Sequence, residues 1–179
     1  CKSLEKDGLQ VTYLNVDRHG ALDLQNLADE IRESTILISV MWANNETGNI
    51  FPIEELGRIA RKHKVPLHTD AAQAAGRIPL DEKGMGVDLM ALSAHKLYGP
   101  KGVGILIARK GVPIIPIQTG GGQENGMRAG TSNVAYIVGQ AEAFRLAHQE
   151  RDYRRDKLIE MRDYLIRTVL DSVPDSILT

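Results

Sequence analysis

The sequence predicts an α/β fold: a three-layer, mostly parallel sheet with one antiparallel strand, followed by a long C-terminal connecting helix. Short apolar runs alternate with amphipathic segments of helical period, which is typical of β-α-β units. Few residues separate the apolar runs 87–92 and 103–108, too few for a parallel crossover, so this pair should be antiparallel. From residue 133 to about residue 170 the chain has one glycine and no proline, which favours one long helix or two abutting ones.

Apolar periodicity predicts the elements of the first part of the chain. Residues 10–16 alternate apolar and polar side chains, which predicts a half-buried strand. Asp23 is a candidate N-cap for a helix with one apolar stripe. Residues 36–41 are apolar almost throughout, as in a strand covered on both faces. Pro52 suits the first turn of a second helix with a basic last turn, whose core-facing residues are Ile53, Leu56, Ile59 and Ala60.

Two further strands and a flexible loop are predicted beyond this helix. A short apolar strand begins at residue 65 and brings Asp70 to its carboxyl end. The strand 87–92 is followed by a polar segment and then by a glycine-containing turn before the strand 103–108. The glycine-rich stretch 120–131 does not match the spacing of nucleotide-binding loops.

Composition bounds the class of protein. The 179 residues, 42% hydrophobic and 25% charged, suit one soluble domain or a domain with part of another. A net charge of −1 with interspersed signs favours neither a nucleic-acid partner nor an anionic membrane. No apolar run is long enough to span a bilayer. The single cysteine has no second cysteine for a disulfide or a zinc site, which predicts a reducing, cytoplasmic setting and no metal centre.

Three clusters of polar residues each follow a predicted strand. The clusters are Asn45, then Asp70 with Gln73, then Ser93 with His95 and Lys96. In open α/β folds, ligand crevices lie beyond the carboxyl ends of the strands. Each cluster also has a plainer interpretation: Asn45 suits a tight loop, Asp70 can cap a short helix, and Lys96 can be a solvated loop residue.

Together, the clusters supply what pyridoxal 5'-phosphate (PLP) chemistry needs from a protein. These parts are a lysine that forms a Schiff base, an acid that pairs with the pyridinium nitrogen, and donors for a phosphate. The sequence therefore predicts PLP as the cofactor. The candidate roles are Schiff-base formation for Lys96, ring-nitrogen pairing for Asp70, ring-oxygen contacts for Asn45 and Gln73, and phosphate donation for Ser93 and His95.

Four motifs stand in a fixed order along the chain. They are Ala-Asn-Asn-Glu-Thr-Gly at 43–48, His-Thr-Asp-Ala-Ala-Gln at 68–73, Ser-Ala-His-Lys-Leu-Tyr-Gly-Pro-Lys-Gly at 93–102, and the glycine-rich stretch 120–131. In this order they resemble the cysteine desulfurases of the NifS/IscS type. The resemblance covers nearly the whole chain and implies the fold-type-I architecture of PLP enzymes. It implies that residues 1–132 belong to the PLP-binding large domain, and that residues 133–179 form the connecting helix and the start of a small domain.

The resemblance also implies an activity and its partners. The family removes sulfur from L-cysteine as a homodimer and passes it to acceptors such as iron–sulfur scaffold proteins. The matches of Lys96, Asp70 and the other polar residues have the roles already given. The match of Thr131 reaches the phosphate of the cofactor bound by the partner subunit.

The chain also departs from the family pattern. A histidine that stacks on the ring and a phosphate-binding turn lie upstream of its first residue in the family, and the nucleophilic cysteine and a carboxylate-binding arginine lie downstream of its last. Cys1 is expected to be an ordinary cysteine. We therefore expect an internal piece of a desulfurase that is inactive alone. A selenocysteine lyase and a non-catalytic interaction module remain the alternatives.

Overall fold

The computed structural model describes residues 1–80 and 82–178. The helices are α1 (Lys2–Lys6), α2 (Leu24–Glu30), α3 (Ile53–His63), α4 (Glu82–Met85) and α5 (Val134–Ser172). The strands are β1 (Ile38–Met41), β2 (Leu67–Asp70), β3 (Leu89–Ser93), β4 (Gly104–Ala108), β5 (Gly122–Gln123) and β6 (Arg128–Ala129). Two 3₁₀ turns span Ala94–Leu97 and Glu124–Gly126. Within these described ranges, no helix is long and apolar enough to cross a membrane.

The first four strands form one sheet in the order β1-β2-β3-β4. β1, β2 and β3 are parallel to one another, whereas β4 is antiparallel to β3 and pairs Ser93 with Gly104. The connection between β3 and β4 is too short for the crossover that a parallel pair requires. The prediction of a mostly parallel sheet with one antiparallel strand is confirmed.

The hydrophobic core lies against one face of this sheet. Burial alternates along β2 and β3, as the two-residue period of a strand requires. On the covered face Leu67, Thr69 and Met90 are at most 2% exposed. Helix α3 contributes its apolar stripe to the same core cluster. Residues on the opposite face of β2, including Asp70, are half-buried or exposed.

The two predicted early helices form where their end signals place them. Asp23 caps α2 by accepting hydrogen bonds from the backbone N–H groups of Gln25 and Asn26 at 2.9 and 3.1 Å. Helix α3 begins after Pro52 and ends at His63, and its C-cap Lys64 adopts the left-handed conformation. The basic last turn of α3 is favourable near the negative end of the helix dipole.

The prediction of a strand at 10–16 is wrong. In the described structure this segment makes a single bridge, between Val16 and Leu22, and is otherwise irregular. Tyr13 and Val16 are 55% and 49% exposed. A strand needs a paired backbone, and among the described residues the segment has none beyond that bridge, although Leu14 packs against the core. A turn follows this segment, in which the Asp17 carboxylate accepts hydrogen bonds from the backbone N–H groups of His19 and Ala21.

The predicted long helix is confirmed as α5, whose N-cap Asn133 accepts a hydrogen bond from the Tyr136 backbone N–H. Its buried residues, Gln140, Ala143 and Ala147, lie in the first part of the helix, which packs on the turn Ala94–Leu97. Described residues of α5 beyond Ala147 are half-buried or exposed, which fits a stretch that carries charged residues on all sides. The division into two domains near residue 132 stays a prediction.

Candidate functional site

The carboxyl ends of β1, β2 and β3 meet at one edge of the sheet. Met41, Asp70 and Ala91 are register partners across the three strands. Because neighbouring strands lie about 4.8 Å apart, the segments that follow them leave the sheet side by side. Ser93, the half-buried last residue of β3, lies just beyond this row. The structure therefore brings the Asp70 and Ser93 clusters to the same edge.

Lys96 lies in the 3₁₀ turn that begins directly after β3. Ala94 and Leu97 anchor this turn in the core at 0% and 6% exposure, whereas Lys96 is half-buried and His95 is exposed. Successive residues of a 3₁₀ helix lie about 120° apart around its axis, so His95 and Lys96 are not forced onto opposite faces as in a strand. Lys96 therefore lies in a turn at the carboxyl edge of the sheet, directly after the strand that the sequence predicted before it.

Asp70 has both of the features that the sequence left as alternatives. Its Oδ1 accepts a hydrogen bond from the Ala72 backbone N–H at 2.9 Å, so it caps the following turn. It also ends β2 at the same edge as Ser93. Asp70 itself is exposed, whereas its small neighbours Ala71 and Ala74 are buried.

The two asparagines of the loop after β1, Asn44 and Asn45, differ in their hydrogen bonding. The Asn44 Oδ1 accepts hydrogen bonds from the backbone N–H groups of Glu46 and Thr47 at 2.8 and 3.0 Å, which shapes the loop as an Asx turn. Asn45 is exposed beside it. Turn chemistry therefore accounts for Asn44 and leaves the Asn45 side chain available to a ligand.

Gln73 and Thr131 differ in how the structure places them. Gln73 is half-buried in the segment after β2, one turn beyond Asp70. Thr131 is exposed and follows β6 in a separate two-stranded sheet. The guanidinium of Arg128, on β6, donates at 2.7 Å to the Oε1 of Gln118, which precedes β5. No hydrogen bond of the described residues joins Thr131 to the edge that carries Lys96.

His68 is a polar residue at this face to which the sequence analysis assigned no role. It lies two residues before Asp70 on β2, and its Nδ1 is 2.8 Å from the Oγ of Ser39 on β1. Burial lowers the pKa of His68 below its usual 6.5, and the Asp70 charge opposes this shift in part. The strand period could have placed His68 on the face of Asp70, whereas its pairing with Ser39 depends on a register that the sequence does not show.

This lowered pKa makes stability depend on pH. We expect the free energy of unfolding to fall as the pH drops from about 8 to about 5, because unfolded His68, with a pKa near 6.5, binds a proton more readily than folded His68. The free energy of unfolding should begin to fall near pH 6.5, the pKa of His68 in the unfolded chain, and should fall further at lower pH. Urea unfolding at each pH should show a smaller fall for His68→Gln, whereas the exposed control His63→Gln should keep the parent profile. Parallel profiles for parent and His68→Gln would contradict the assignment.

The fold and the site define an α/β protein whose sheet presents a lysine turn and a carboxylate at one edge. The chain belongs to the class-V aminotransferase family, since the family profile described as "Aminotransferase class-V" matches residues 1–176. This match accounts for nearly the whole chain, as the motif order predicted.

Individual relatives and solved structures indicate which part of this family the chain resembles. The chain is 51% identical over 175 residues to a Dictyoglomus turgidum protein named "Cysteine desulfurase IscS", a match that covers 98% of the chain and 44% of the relative. It is similar to the solved structure titled "NIFS-LIKE PROTEIN", with a TM-score of 0.92 and 42% identity over 95% of this chain and 47% of that one. It is also similar to "SspA in complex with cysteine", with a TM-score of 0.78 and 42% identity over 81% and 42% of the two chains.

These comparisons confirm the resemblance to cysteine desulfurases of the NifS/IscS type. The chain spans less than half the length of these relatives. The activity, substrate and partners of a whole protein are therefore matters of proposal.

Proposed function

We propose that this chain carries the cofactor-binding edge of a PLP-dependent cysteine desulfurase. The observation that carries the proposal is the placement of Lys96 in a core-anchored turn at the same sheet edge as Asp70. An amine and a carboxylate at the carboxyl edge of an α/β sheet are the two groups that PLP chemistry needs from its protein. The similarity to proteins named cysteine desulfurase supports this chemistry over other uses of the edge.

The residues at the edge fit PLP by their chemistry. In the part of the chain that the structure describes, no hydrogen bond occupies the side chains of Asn45, Gln73, Ser93, His95 or Lys96. The Ala72 N–H uses one oxygen of the Asp70 carboxylate. Polar groups that converge on one edge without internal partners suit a polar, anionic ligand, since a protein otherwise pairs such groups or spreads them over its surface.

Each residue has a definite part in this proposal. Lys96 would bind the cofactor covalently through Nζ and, once released, would hold or move a proton at the substrate α-carbon. The Asp70 carboxylate would accept a hydrogen bond from the ring nitrogen and favour its protonated form. Asn45 and Gln73 would contact the ring oxygen. The bound cofactor would supply an electron-withdrawing ring that stabilises charge at the α-carbon.

The phosphate would be held by donors from two subunits. Ser93 and His95 would donate from the lysine segment, where hydrogen bonds to an ionised acceptor are strong. Thr131 would donate to the phosphate of the partner's site, which is why we propose a homodimer. The location of Thr131 in a separate hairpin, with no described hydrogen bond to its own lysine edge, is consistent with that role.

We propose L-cysteine as the substrate, with alanine as the product and the sulfur passed to an iron–sulfur scaffold or another acceptor protein in the cytoplasm. The name of the Dictyoglomus turgidum relative and the cysteine complex of SspA support this substrate. A selenocysteine lyase would share the same edge chemistry. Comparing alanine release from the two amino acids by the full-length protein separates these activities, and release from neither would favour an interaction module.

The direct test of the site is to trap the cofactor. The purified protein is incubated with PLP, reduced with borohydride and mapped by peptide mass spectrometry. With PLP at one equivalent of the protein, we expect the dominant pyridoxyl adduct on Lys96, because a bound cofactor holds its aldehyde at one amine while surface lysines react only slowly and at random. A dominant adduct on another lysine, or none at all, would remove the proposed site.

A further inference from the structure

One arginine joins the two polar segments of the candidate site. The Arg77 guanidinium donates from Nη1 to the Gln73 carbonyl oxygen at 3.0 Å and from Nη2 to the Lys96 carbonyl oxygen at 3.2 Å. Gln73 follows β2, whereas Lys96 follows β3. A single side chain therefore links the segment that begins at Asp70 with the segment that carries the lysine.

The Lys96 carbonyl oxygen needs a donor from outside its own turn. It stands near the end of the 3₁₀ turn, where carbonyl groups run out of helical partners. The backbone N–H groups of Tyr98 and Gly99 both donate to the Ala94 carbonyl oxygen, and Pro100 has no N–H. Among the described residues, the hydrogen-bond donor to the Lys96 oxygen is Arg77.

The packing of Gly76 brings Arg77 to this position by an independent route. Gly76 has a φ of +70°, which favours glycine, and a Cβ there would lie 2.7 Å from Leu97 Cδ2 and 2.8 Å from Ala147 Cβ. The backbone at residue 76 therefore approaches the lysine turn more closely than a side chain permits. Residue 77 follows directly, within reach of the Lys96 oxygen.

We propose that Arg77 is a positioning residue that fixes the lysine turn against the Gln73 segment and so sets where Lys96 Nζ stands relative to Asp70. The inference rests on the proposed PLP site. A guanidinium presents donors on separate nitrogens of a rigid plane and can hold two carbonyl groups at once, whereas the compact ammonium of lysine cannot reproduce that fork. Because Arg77 is exposed, its hydrogen bonds are individually weak, and losing them should alter the turn more than the stability of the fold.

The test compares Arg77→Ala and Arg77→Lys with the parent and with Arg58→Ala, an exposed arginine on α3 that pairs with Glu55. Hydrogen exchange of the Tyr98 and Gly99 amides is measured without cofactor, and the PLP dissociation constant is measured by titration. We expect Arg77→Ala to accelerate exchange of these two amides and to raise the dissociation constant by about five- to tenfold, the size of effect that two exposed charge-assisted hydrogen bonds give. Arg77→Lys should lie between Arg77→Ala and the parent.

The outcomes separate this inference from the proposed function. If Arg77→Ala has the amide exchange and PLP affinity of the parent, or if Arg58→Ala shows the same changes, the positioning role is overturned. The PLP site would still be supported as long as the parent protein forms the adduct on Lys96. If the parent protein forms no adduct on Lys96, the PLP site is overturned. Comparing hydrogen exchange of the Tyr98 and Gly99 amides in the parent and in Arg77→Ala would still decide whether Arg77 holds the turn. If Arg77→Ala fails to fold, Arg77→Lys decides: slower trapping on Lys96 at a parent-like melting temperature supports the proposal, and parent-like trapping refutes it.

Discussion

In the full-length protein, Lys96→Ala should abolish the borohydride-trapped adduct and cysteine turnover together, while the fold stays intact. Turnover should fall by roughly 10⁴-fold or more, because in the proposed site the change removes both the amine that would bind the cofactor and a group that would transfer protons. The fold should tolerate the change to within about 1 kcal/mol, since Lys96 is half-buried and its backbone carbonyl still accepts from Arg77. Peptide mapping, an alanine-release assay and urea unfolding measure the three effects.

Lys101→Ala is the matched control, since Lys101 is an exposed lysine in the turn that follows the same segment. It should trap the adduct on Lys96 and turn over like the parent. A Lys96→Ala protein that still forms one specific adduct would show that another lysine binds the cofactor. Equal losses in both variants would point to a general effect on the turn.

The sequence predicted those elements whose signals are local. Asp23 and the apolar stripe behind it specify α2, and the short spacing between the runs that became β3 and β4 specifies their antiparallel pairing. The turn that holds Lys96 follows from its position directly after an apolar run. In each case a few adjacent residues contain the whole physical cause, so no long-range information is needed.

The features that the sequence missed depend on residues far apart in the chain. The strand predicted at 10–16 has the right alternation, but alternation does not show whether a neighbouring strand exists to pair with it. The bond between Ser39 and His68 spans 29 residues, and that between Arg77 and the Lys96 carbonyl spans 19. Both require the register of the parallel strands, which is set by packing rather than by either residue.

In the full-length enzyme, exchanging Asp70 for Asn should weaken catalysis far more than it weakens folding. A carboxylate beside a cationic nitrogen shifts the pKa of its partner by about one to three units, so its loss should lower turnover by roughly ten- to a thousandfold. The asparagine Oδ1 can still accept the hydrogen bond from the Ala72 N–H. Because residue 70 is exposed, the substitution leaves no buried charge without a partner. We therefore expect the free energy of unfolding to change by less than about 1 kcal/mol.

Asp23→Asn provides the matched control, because Asp23 also accepts backbone N–H bonds and asparagine caps a helix about as well as aspartate. If the two aspartates have only capping roles, both variants should retain parent turnover and the parent spectrum of the bound cofactor. If Asp70 pairs with the ring nitrogen, its variant alone should lose turnover and shift that spectrum. If Asp70→Asn keeps the turnover and the cofactor spectrum of the parent, Asp70 has only the capping role that its hydrogen bond from the Ala72 N–H shows.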